Sequence, residues 1–583
     1  MNKVSQRQPN VILVMTDDQG YGDLGCTGNP WIRTPNIDRF YGEALRLTDF
    51  HVSPLCTPTR GALLTGRHPL RNGAWATCWG RSILRAEETT LADIFAANGY
   101  GTALFGKWHL GDNYPYRPMD RGFQHVVAHK GGGVGQTPDF WGNNYFDDTY
   151  FHNGEPVPHE GYCTDIWFDE ALSYIEANRD RPFFVYLSTN APHSPYLVAE
   201  RYRRMYEGNP DIPQPAFCGM ITNIDENFGR LEKKLQEWNL VDDTILIFMT
   251  DNGSSAGAVW DKDGHVVSGY NAGMRGKKAS YYDGGHRVPF FIRWPVGGLG
   301  GGWDLSDLSM HVDLLPTLVD LCGLRSSKPL KSDGTSLAAR WRGHAPSPND
   351  RVQFLQFRQH TAPPEKWSNA VLTSRWRLVH GRELFDIQAD PAQRQDVAEQ
   401  YPEVVGELRA AHEKWWAEAS PGLEDYCPIS LGAAAENPTR LDAMDVMGDV
   451  AWSQNQIVLA KKSTGSWCVN IEQAGTYTFA LRRWPRELDL PIDEAVPPDD
   501  ARGHTYADDS GRCKVLAPAA ARLSLFGKEW RQPCQSGKRE VCFTVSLSQM
   551  GITRLEASFI DGQGEECGAY YVYVKREDVE ISE

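Results

Sequence analysis

A cysteine stands at the start of a predicted helix, in the run L-C-T-P-T-R-G-A-L-L-T-G-R that covers residues 55–67. The free N–H groups and the dipole of a helix N-terminus favour negative charge, so Cys56 is a candidate nucleophile. Pro58 suits the first helical turn, and Arg60 follows one turn later, where its guanidinium could bind a tetrahedral oxyanion. The alternative is a buried, unreactive cysteine at a helix start.

Four acidic or amide side chains follow apolar runs. Asp17 and Asp18 are adjacent after the first run, and two like charges so close are unfavourable unless a cation or basic groups neutralise them. Asp251 and Asn252 follow a later run and add a carboxylate and an amide oxygen. This all-oxygen set, without Cys or imidazole, suits Ca²⁺ or Mg²⁺ rather than Zn²⁺. An aspartate pair that caps a loop is the alternative for Asp17 and Asp18.

Basic side chains also follow apolar runs, although the chain as a whole is acidic. Lys107 and His109 lie two residues apart in G-K-W-H-L-G, and on an extended segment this spacing places both side chains on one face. His193 occurs in A-P-H-S-P after another run. Taken singly, the lysine and histidine pair predicts no more than a solvated loop, and His193 no more than a structural histidine.

The elements that would position these residues indicate an α/β domain with a mostly parallel central sheet flanked by helices, because strand-like and helix-like runs alternate over the first 320 residues. Every polar cluster above directly follows a predicted strand. Ligands of open α/β sheets bind beyond the carboxyl ends of the strands, so we expect these clusters to meet at one rim and to form an enzyme site. The predicted strands are Val11–Met15, Thr102–Phe105, Phe183–Ser188 and Thr244–Thr250, and the predicted helices are Leu91–Asn98, Ala216–Trp238 and His311–Leu321.

We expect three domains: the α/β domain over residues 1–345, a smaller α+β subdomain over 346–428, and an all-β sandwich over 429–583. Residues 352–419 favour a few antiparallel strands and then the helix Pro402–Ala419, whereas period-2 runs separated by turns begin near residue 450. Residues 130–161 are too long and too irregular for a simple connector, so we predict a structured surface loop. Four tryptophans of the sandwich could form a sugar platform, although most are expected in its core: Trp452, Trp467, Trp484 and Trp530.

Composition excludes several partners. The formal net charge is −16, which disfavours a nucleic-acid or anionic-membrane partner and requires that any anionic ligand bind where basic residues converge. No apolar run reaches membrane-spanning length, and the twelve cysteines show neither zinc-type spacing nor a disulfide framework. A disulfide stays open as an alternative among the five C-terminal cysteines, Cys468, Cys513, Cys534, Cys542 and Cys567. We expect a cytoplasmic protein if the chain is full length and a periplasmic or secreted one if a leader was removed. The oligomeric state is not predicted.

The Cys-x-Pro-x-Arg run, with G-x-x-L-T-G-R after it, resembles the signature of the sulfatases, which belong to the alkaline phosphatase superfamily. G-K-W-H-L-G resembles the second signature of the same family. The resemblance implies that Cys56 is oxidised to formylglycine by a maturation enzyme and that the hydrated aldehyde is the nucleophile. It also implies Ca²⁺ bound by formylglycine and four side chains, Asp17, Asp18, Asp251 and Asn252, with Mg²⁺ as the alternative.

The resemblance assigns the basic residues as well. It implies that Lys107 and His109 contact the sulfate and that His193 contacts the leaving-group oxygen. D-G-G-H-R-V-P resembles a further family block, and counting back from Asp283 aligns the family lysine with Lys278, with Lys277 as the off-by-one alternative. A hydroxyl that many members use between the Lys/His pair and the Pro-His segment has no secure match.

We therefore predict a sulfuric ester hydrolase that cleaves aryl sulfates in vitro and sulfated carbohydrates in vivo. Asp251 is predicted to activate the nucleophile, and Lys278 and His193 to assist the leaving group. His109 is predicted to deprotonate the second hydroxyl when sulfate is released. A phosphonate monoester or phosphodiester hydrolase of the same superfamily is the first alternative, and a carbohydrate-binding protein with a degenerate catalytic domain is the second.

Overall fold

Ten strands form the main sheet of the computed structural model, which describes residues 8–347, 351–497 and 513–577. The five central strands are parallel and buried on both faces, as their near-continuous apolar sequences predict. Antiparallel pairings occur only toward the edges among the described strands, so the sheet is mixed with a parallel centre. In spatial order the strands are Trp303–Leu305, Leu45–Leu47, Phe290–Arg293, Thr244–Thr250, Asn10–Thr16, Phe183–Ser188, Gly101–Lys107, His125–His129, Thr149–His152 and Glu155–Pro158.

Helices cover both faces of this sheet, which the Asn10–Thr16 strand shows residue by residue. Val11 and Leu13 enter one hydrophobic cluster, and Ile12 and Val14 enter another on the opposite face. The first cluster is completed by the helices Cys56–Thr65, Leu91–Ala97 and Leu314–Cys322, and the second by Pro35–Glu43, Cys163–Ala177 and Pro215–Glu237. These layers make the sheet a rigid platform, with the carboxyl ends of its central strands at one rim.

The remaining elements of this part are short. Two small strand pairs, Phe50–His51 with Ser309–Met310 and Ala258–Trp260 with Val266–Gly269, lie outside the main sheet. The short helices are Pro69–Asn72, Glu200–Arg203, Asp283–His286 and Ala338–Trp341, with 3₁₀ turns at Gly25–Thr27, Pro118–Arg121 and His311–Asp313. The helix predicted over His311–Leu321 therefore begins at Leu314, after a 3₁₀ turn.

A second, four-stranded antiparallel sheet follows, with the long helix Pro402–Ala419 after it. The helix contributes Leu408 to a hydrophobic cluster with Val371 and Leu378 of the sheet. The strands are Gln353–Gln356, Asn369–Leu372, Trp376–Val379 and Glu383–Asp386. These elements agree with the strands expected between residues 352 and 419 and with the helix expected over Pro402–Ala419.

Two further sheets, the C-terminal module, follow residue 428 and share one hydrophobic cluster. Val469 and Leu523 of one sheet meet Phe479 and Val572 of the other, which makes a sandwich. One sheet holds Ile429–Leu431, Gly465–Ile471, Gly551–Asp561, Pro518–Leu525 and Lys528–Pro533, with Met447–Gly448 and Glu566–Gly568 beside it. The other holds Thr439–Asp442, Tyr571–Arg576, Gly475–Arg482 and Val541–Leu547, and a short helix spans Gln454–Val458.

The tryptophans of the module divide between core and surface. Trp467 and Trp484 are fully buried, as expected for core residues. Trp452 and Trp530 are only half-buried. All twelve cysteines lie in the described residues and are free thiols, and no described helix is both long and apolar enough to cross a membrane.

The segment over residues 130–161 differs from the predicted surface loop. Its second half supplies two edge strands of the main sheet, and its residues 131–139 are buried because the C-terminal module covers them. Thr137 hydroxyl donates to the Ala451 carbonyl at 2.5 Å, and its N–H donates to the Trp452 carbonyl at 3.0 Å. Trp141 also packs edge-on against Trp484, with ring centroids 5.4 Å apart.

Candidate active site

Cys56 is the first residue of the Cys56–Thr65 helix, and every residue of this helix is buried. No side chain caps the helix, so its first backbone N–H groups remain available to an anionic group beside Cys56. Burial raises the pKa of the Cys56 thiol to about 12, although the charges of Lys107 and Lys278 oppose the shift. An unmodified Cys56 is therefore a protonated thiol at neutral pH and a weak nucleophile.

The four predicted cation ligands converge beside Cys56. Ligand atoms of Asp17, Cys56 and Asp251 all lie within 4.8 Å of one another, and Asp18 is equally close to Cys56. The Asp18 N–H donates to Asp251 Oδ1 at 3.0 Å, and Asn252 Nδ2 donates to Asp18 Oδ1 at 2.9 Å. Asp18 holds this position with φ of 68°, a left-handed conformation that costs a non-glycine residue about 1–3 kcal/mol.

Two oxygens of this cluster are buried without a hydrogen-bond partner, namely Asp17 Oδ1 and Asn252 Oδ1. An unpaired buried oxygen is costly, and a bound cation would satisfy both atoms at once. The donors are three carboxylates and one amide, which are ligands of Ca²⁺ and Mg²⁺. The residues present therefore fit a hard divalent cation.

Each of the three carboxylates also has a basic partner. Lys107 Nζ lies 2.6 Å from Asp17 Oδ2, Lys278 Nζ lies 2.7 Å from Asp18, and an Arg60 guanidinium nitrogen lies 2.7 Å from the third carboxylate. Burial alone would raise the pKa of Asp18, but the positive charge of Lys278 and the hydrogen bond that it donates outweigh burial and hold that pKa below its ordinary value.

The third carboxylate, Asp251, behaves in the opposite way. Burial and the negative charge of Asp17 raise its pKa to about 7, although Arg60 and Lys107 oppose the shift. The cation-free site therefore retains a proton on Asp251 at mildly acidic pH, and a cation would have to displace it.

Arg60 does not occupy the position that the sequence suggested. The sequence predicted a guanidinium free to bind an oxyanion, whereas the side chain is fully buried and donates to Asp251 through Nε and Nη2. Its other terminal nitrogen donates to the Ser188 hydroxyl and lies 3.4 Å from the Lys107 carbonyl. In this geometry Arg60 orients the carboxylate of Asp251.

His109 faces the cluster for a different reason from the one predicted. The Gly101–Lys107 strand ends before it, and its φ of 58° breaks the extended geometry that would put it on the Lys107 face. His109 Nε2 lies 3.0 Å from the Thr77 carbonyl, so this nitrogen carries the proton and the buried Nδ1 keeps an unpaired lone pair. Burial and the Lys107 charge hold the pKa of His109 well below its ordinary value, so the ring is neutral.

His193 and Lys278 complete the cluster. His193 Nε2 lies 3.7 Å from Asp18 Oδ2, while its Nδ1 donates to the Ser194 carbonyl at 2.6 Å. Burial and the Lys278 charge lower the pKa of His193 to about 3. Of the two lysines that the sequence left open, only Lys278 touches the carboxylates, because the Lys277 ammonium lies over the Trp260 ring at 5.3 Å.

A cavity of about 360 Å³ opens onto this cluster. Sequence reasoning missed most of its walls, because they come from segments that carry no recognisable motif. Gln136 lies in the interval where no family hydroxyl could be matched, and its Oε1 accepts from the Gly132 N–H at 2.8 Å. The lining residues are Leu55, Cys56, Thr77, Cys78, Trp79, His109, Gly132, Gln136, His193, Lys278, Gln359, Met444, Val450, Trp452 and Lys461.

Comparison with known proteins identifies the class of enzyme. The sequence model of the Sulfatase family matches residues 9–324, and that of the N-sulphoglucosamine sulphohydrolase C-terminal region matches residues 274–416. Human arylsulfatase A is 31% identical over 417 residues, which cover 66% of this chain and 78% of that protein. The chain belongs to the sulfatase family, whose members generally use a formylglycine and a divalent metal, and it is a sulfate-ester hydrolase.

Other similar proteins include carbohydrate sulfatases. N-acetylgalactosamine-6-O-sulfatase of Bacteroides thetaiotaomicron is 26% identical over 512 residues, covering 70% of this chain and 93% of that protein. The structure of Ps i-CgsB in complex with k-i-k-neocarrahexaose superposes with a TM-score of 0.63 at 27% identity, covering 71% of this chain and 94% of that one. The phosphonate monoester hydrolase of Agrobacterium radiobacter, at 21% identity and a TM-score of 0.51, shares the fold.

Proposed function

We propose that this sulfatase hydrolyses sulfate esters of carbohydrates through a formylglycine made from Cys56, with Ca²⁺ bound among Asp17, Asp18, Asp251 and Asn252. The observation that carries the proposal is the convergence of three carboxylates beside a buried helix N-terminal cysteine, with two predicted ligand oxygens that have no hydrogen-bond partner among the described residues. Mg²⁺ has the same ligand preference, and the metal content of the purified protein separates the two ions.

The proposed chemistry needs two groups that other factors provide. A maturation enzyme would supply formylglycine, whose hydrated aldehyde offers a hydroxyl as nucleophile, and the cation would polarise the sulfate oxygens. Because the pKa of the thiol is about 12, cysteine itself would not perform this attack at neutral pH.

The residues of the chain divide the remaining work. Arg60 holds Asp251 in place through two nitrogens, so that the Asp251 carboxylate can accept the proton of the attacking hydroxyl. His109 offers an unpaired Nδ1 lone pair, which suits a base that takes a second proton when sulfate is released. Lys107 stays against Asp17 and adds positive charge on the sulfate side.

Lys278 and His193 would act on the leaving oxygen. Burial alone would lower the pKa of Lys278, but Asp18 outweighs it and holds that pKa above its ordinary value, so the ammonium stays charged and stabilises a departing alkoxide. His193 is neutral without substrate, and the negative charge of a bound sulfate ester would favour the protonated ring beside that oxygen.

Sulfate release from matured enzyme tests the proposal. Nitrophenyl sulfate, an aryl phosphodiester and a panel of sulfated mono- and oligosaccharides are assayed side by side, with Cys56→Ala as the inactive control. We expect turnover of nitrophenyl sulfate and of at least one sulfated sugar, both lost in the control. Faster turnover of the phosphodiester than of every sulfate ester would instead favour the phosphonate or phosphodiester hydrolase.

A further inference from the structure

The catalytic cavity is closed on one side by the C-terminal module, which lies beyond both matched family regions because these end at residues 324 and 416. Four residues of the module line the cavity together with Cys56, namely Met444, Val450, Trp452 and Lys461. A module that contributes cavity wall beside the nucleophile is positioned to bind substrate.

The contact between the module and the catalytic domain is extensive and polar. The Tyr571 hydroxyl donates to the Thr137 carbonyl at 3.0 Å, and the Gln454 side chain accepts from the Gly142 N–H at 2.9 Å while donating to the Phe140 carbonyl at 3.1 Å. Buried hydrogen bonds of this kind fix relative position, since breaking one leaves an unsatisfied group. The module wall is therefore part of a preformed cavity.

Aromatic surface is concentrated in this wall. Trp452 of the module is half-buried, and Trp79 of the catalytic domain packs against the same small cluster, which contains Met444 and Val450. Trp79 has φ of 65°, a strained backbone conformation, and its backbone N–H donates to the Met444 carbonyl at 2.9 Å. An indole face buries the apolar C–H face of a sugar ring, so this pair suits a pyranose.

The charged side chains that line the cavity are basic, although the protein as a whole is negative. No Asp or Glu is among the described residues that line the cavity, whereas both Lys278 and Lys461 line it. Lys461 is an exposed residue whose Nζ donates to the Val450 carbonyl at 2.9 Å, and no second acceptor for it occurs in the part of the chain that the structure describes, so two of its protons can reach a ligand. Lys278 is committed to Asp18 and the scissile sulfate, so Lys461 is a second, separate anion-binding group.

We propose that Trp452 and Lys461 form a second sugar subsite, in which the indole stacks on the ring next to the scissile sulfate and the ammonium binds an acidic group on that ring. The substrate class is then an acidic oligosaccharide with at least two anionic groups, the second being a sulfate or a carboxylate. This inference rests on the proposed function, because it takes Lys278 to bind the scissile end.

Three matched disaccharides test the subsite with matured enzyme. Each carries the same scissile sulfate, and the second ring carries a sulfate, a carboxylate or no charge. We expect a higher kcat/KM for one or both acidic disaccharides than for the neutral one, and the preferred disaccharide identifies the anionic group that the subsite binds. Lys461→Met should reduce the acidic-to-neutral preference roughly tenfold, since charged hydrogen bonds are among the strongest polar contacts.

Lys462→Met is the matched control. Lys462 is the next residue and is exposed like Lys461, but it pairs with Glu565 and does not line the cavity, so its loss should leave the preference unchanged. Trp452→Leu should raise KM for all three disaccharides more than it changes kcat. The subsite is contradicted if the wild-type enzyme shows no preference, or if the two lysine variants lose it equally.

Binding to Cys56→Ala protein provides a readout that does not depend on turnover. Calorimetric titration with the preferred acidic disaccharide should show roughly tenfold weaker affinity when Lys461→Met is added, and unchanged affinity when Lys462→Met is added. If the enzyme releases no sulfate from any substrate while this difference in affinity persists, the proposed function fails and the subsite stands. Equal affinities in the two variants would overturn the subsite, whatever the activity.

Discussion

Replacing Gly132 with alanine tests whether the His109 ring must stay where it lies. A Cβ at position 132 would come within 2.3 Å of Cε1, 2.6 Å of Nε2 and 2.9 Å of Nδ1 of His109. Carbon atoms in contact prefer a separation of about 3.5–4.0 Å, so the ring would have to move by about 1 Å. The 3.0 Å hydrogen bond from His109 Nε2 to the Thr77 carbonyl would then be lost.

A displacement of about 1 Å of a catalytic group lowers turnover by about 10²-fold, and we expect this loss in kcat of sulfate release for Gly132→Ala. Gly42→Ala is the control, because a Cβ there meets no atom within 4 Å. In a His109→Ala background the Gly132→Ala change should cost little more, since the ring it displaces is absent. Wild-type kcat for Gly132→Ala, or a further large loss in that background, would refute the argument.

Burial and charge give three further expectations. Lys278→Met should lower kcat/KM for a sulfated sugar by a factor roughly tenfold larger than for nitrophenyl sulfate, because the nitrophenol leaving group needs little assistance. The control Lys277→Met should keep kcat/KM within about twofold of wild type for both substrates, and equal losses on both substrates in Lys278→Met would contradict a leaving-group role. Because the pKa of Asp251 is raised to about 7, cation affinity should rise between about pH 5 and pH 7 in calorimetric titrations, and a flat affinity would contradict that shift. The same raised pKa predicts that the cation-free protein loses stability as pH rises from about 4 to 7, because the folded state holds a proton on Asp251 that the unfolded chain has released. In thermal unfolding, Asp251→Asn should weaken this dependence of stability on pH.

The sequence predicts the central strands well because their residues are apolar on both faces, and such runs have few other stable arrangements. It also predicts which side chains converge, since Asp18 and Asp251 both follow strands that end at one rim. Conformations that break the local pattern are not predictable in this way. The prediction that Lys107 and His109 share one face assumes an extended chain, and it does not hold because His109 has a left-handed conformation. Tertiary contacts rather than local preference hold His109 in this conformation.

The cavity walls are the least predictable part of the site. Trp452 lies 396 positions from Cys56 along the chain, and its place at the cavity depends on how the module docks on residues 136–142. A tryptophan in a β-rich segment is more often a core residue but can also lie at a surface, and only the three-dimensional contacts decide between the two. Arg60 illustrates the same point. The sequence shows that it lies one helical turn after Cys56, but not that its guanidinium pairs with Asp251, which follows a distant strand.

The mass of the peptide that contains residue 56 tests the central claim most directly. Protein made with a formylglycine-generating system should carry formylglycine at this position and should release sulfate from nitrophenyl sulfate in proportion to the modified fraction. Protein made without that system should be folded, retain cysteine and be nearly inactive, because the buried thiol stays protonated. Full activity from protein whose residue 56 is entirely cysteine, or from Cys56→Ala, would contradict the account.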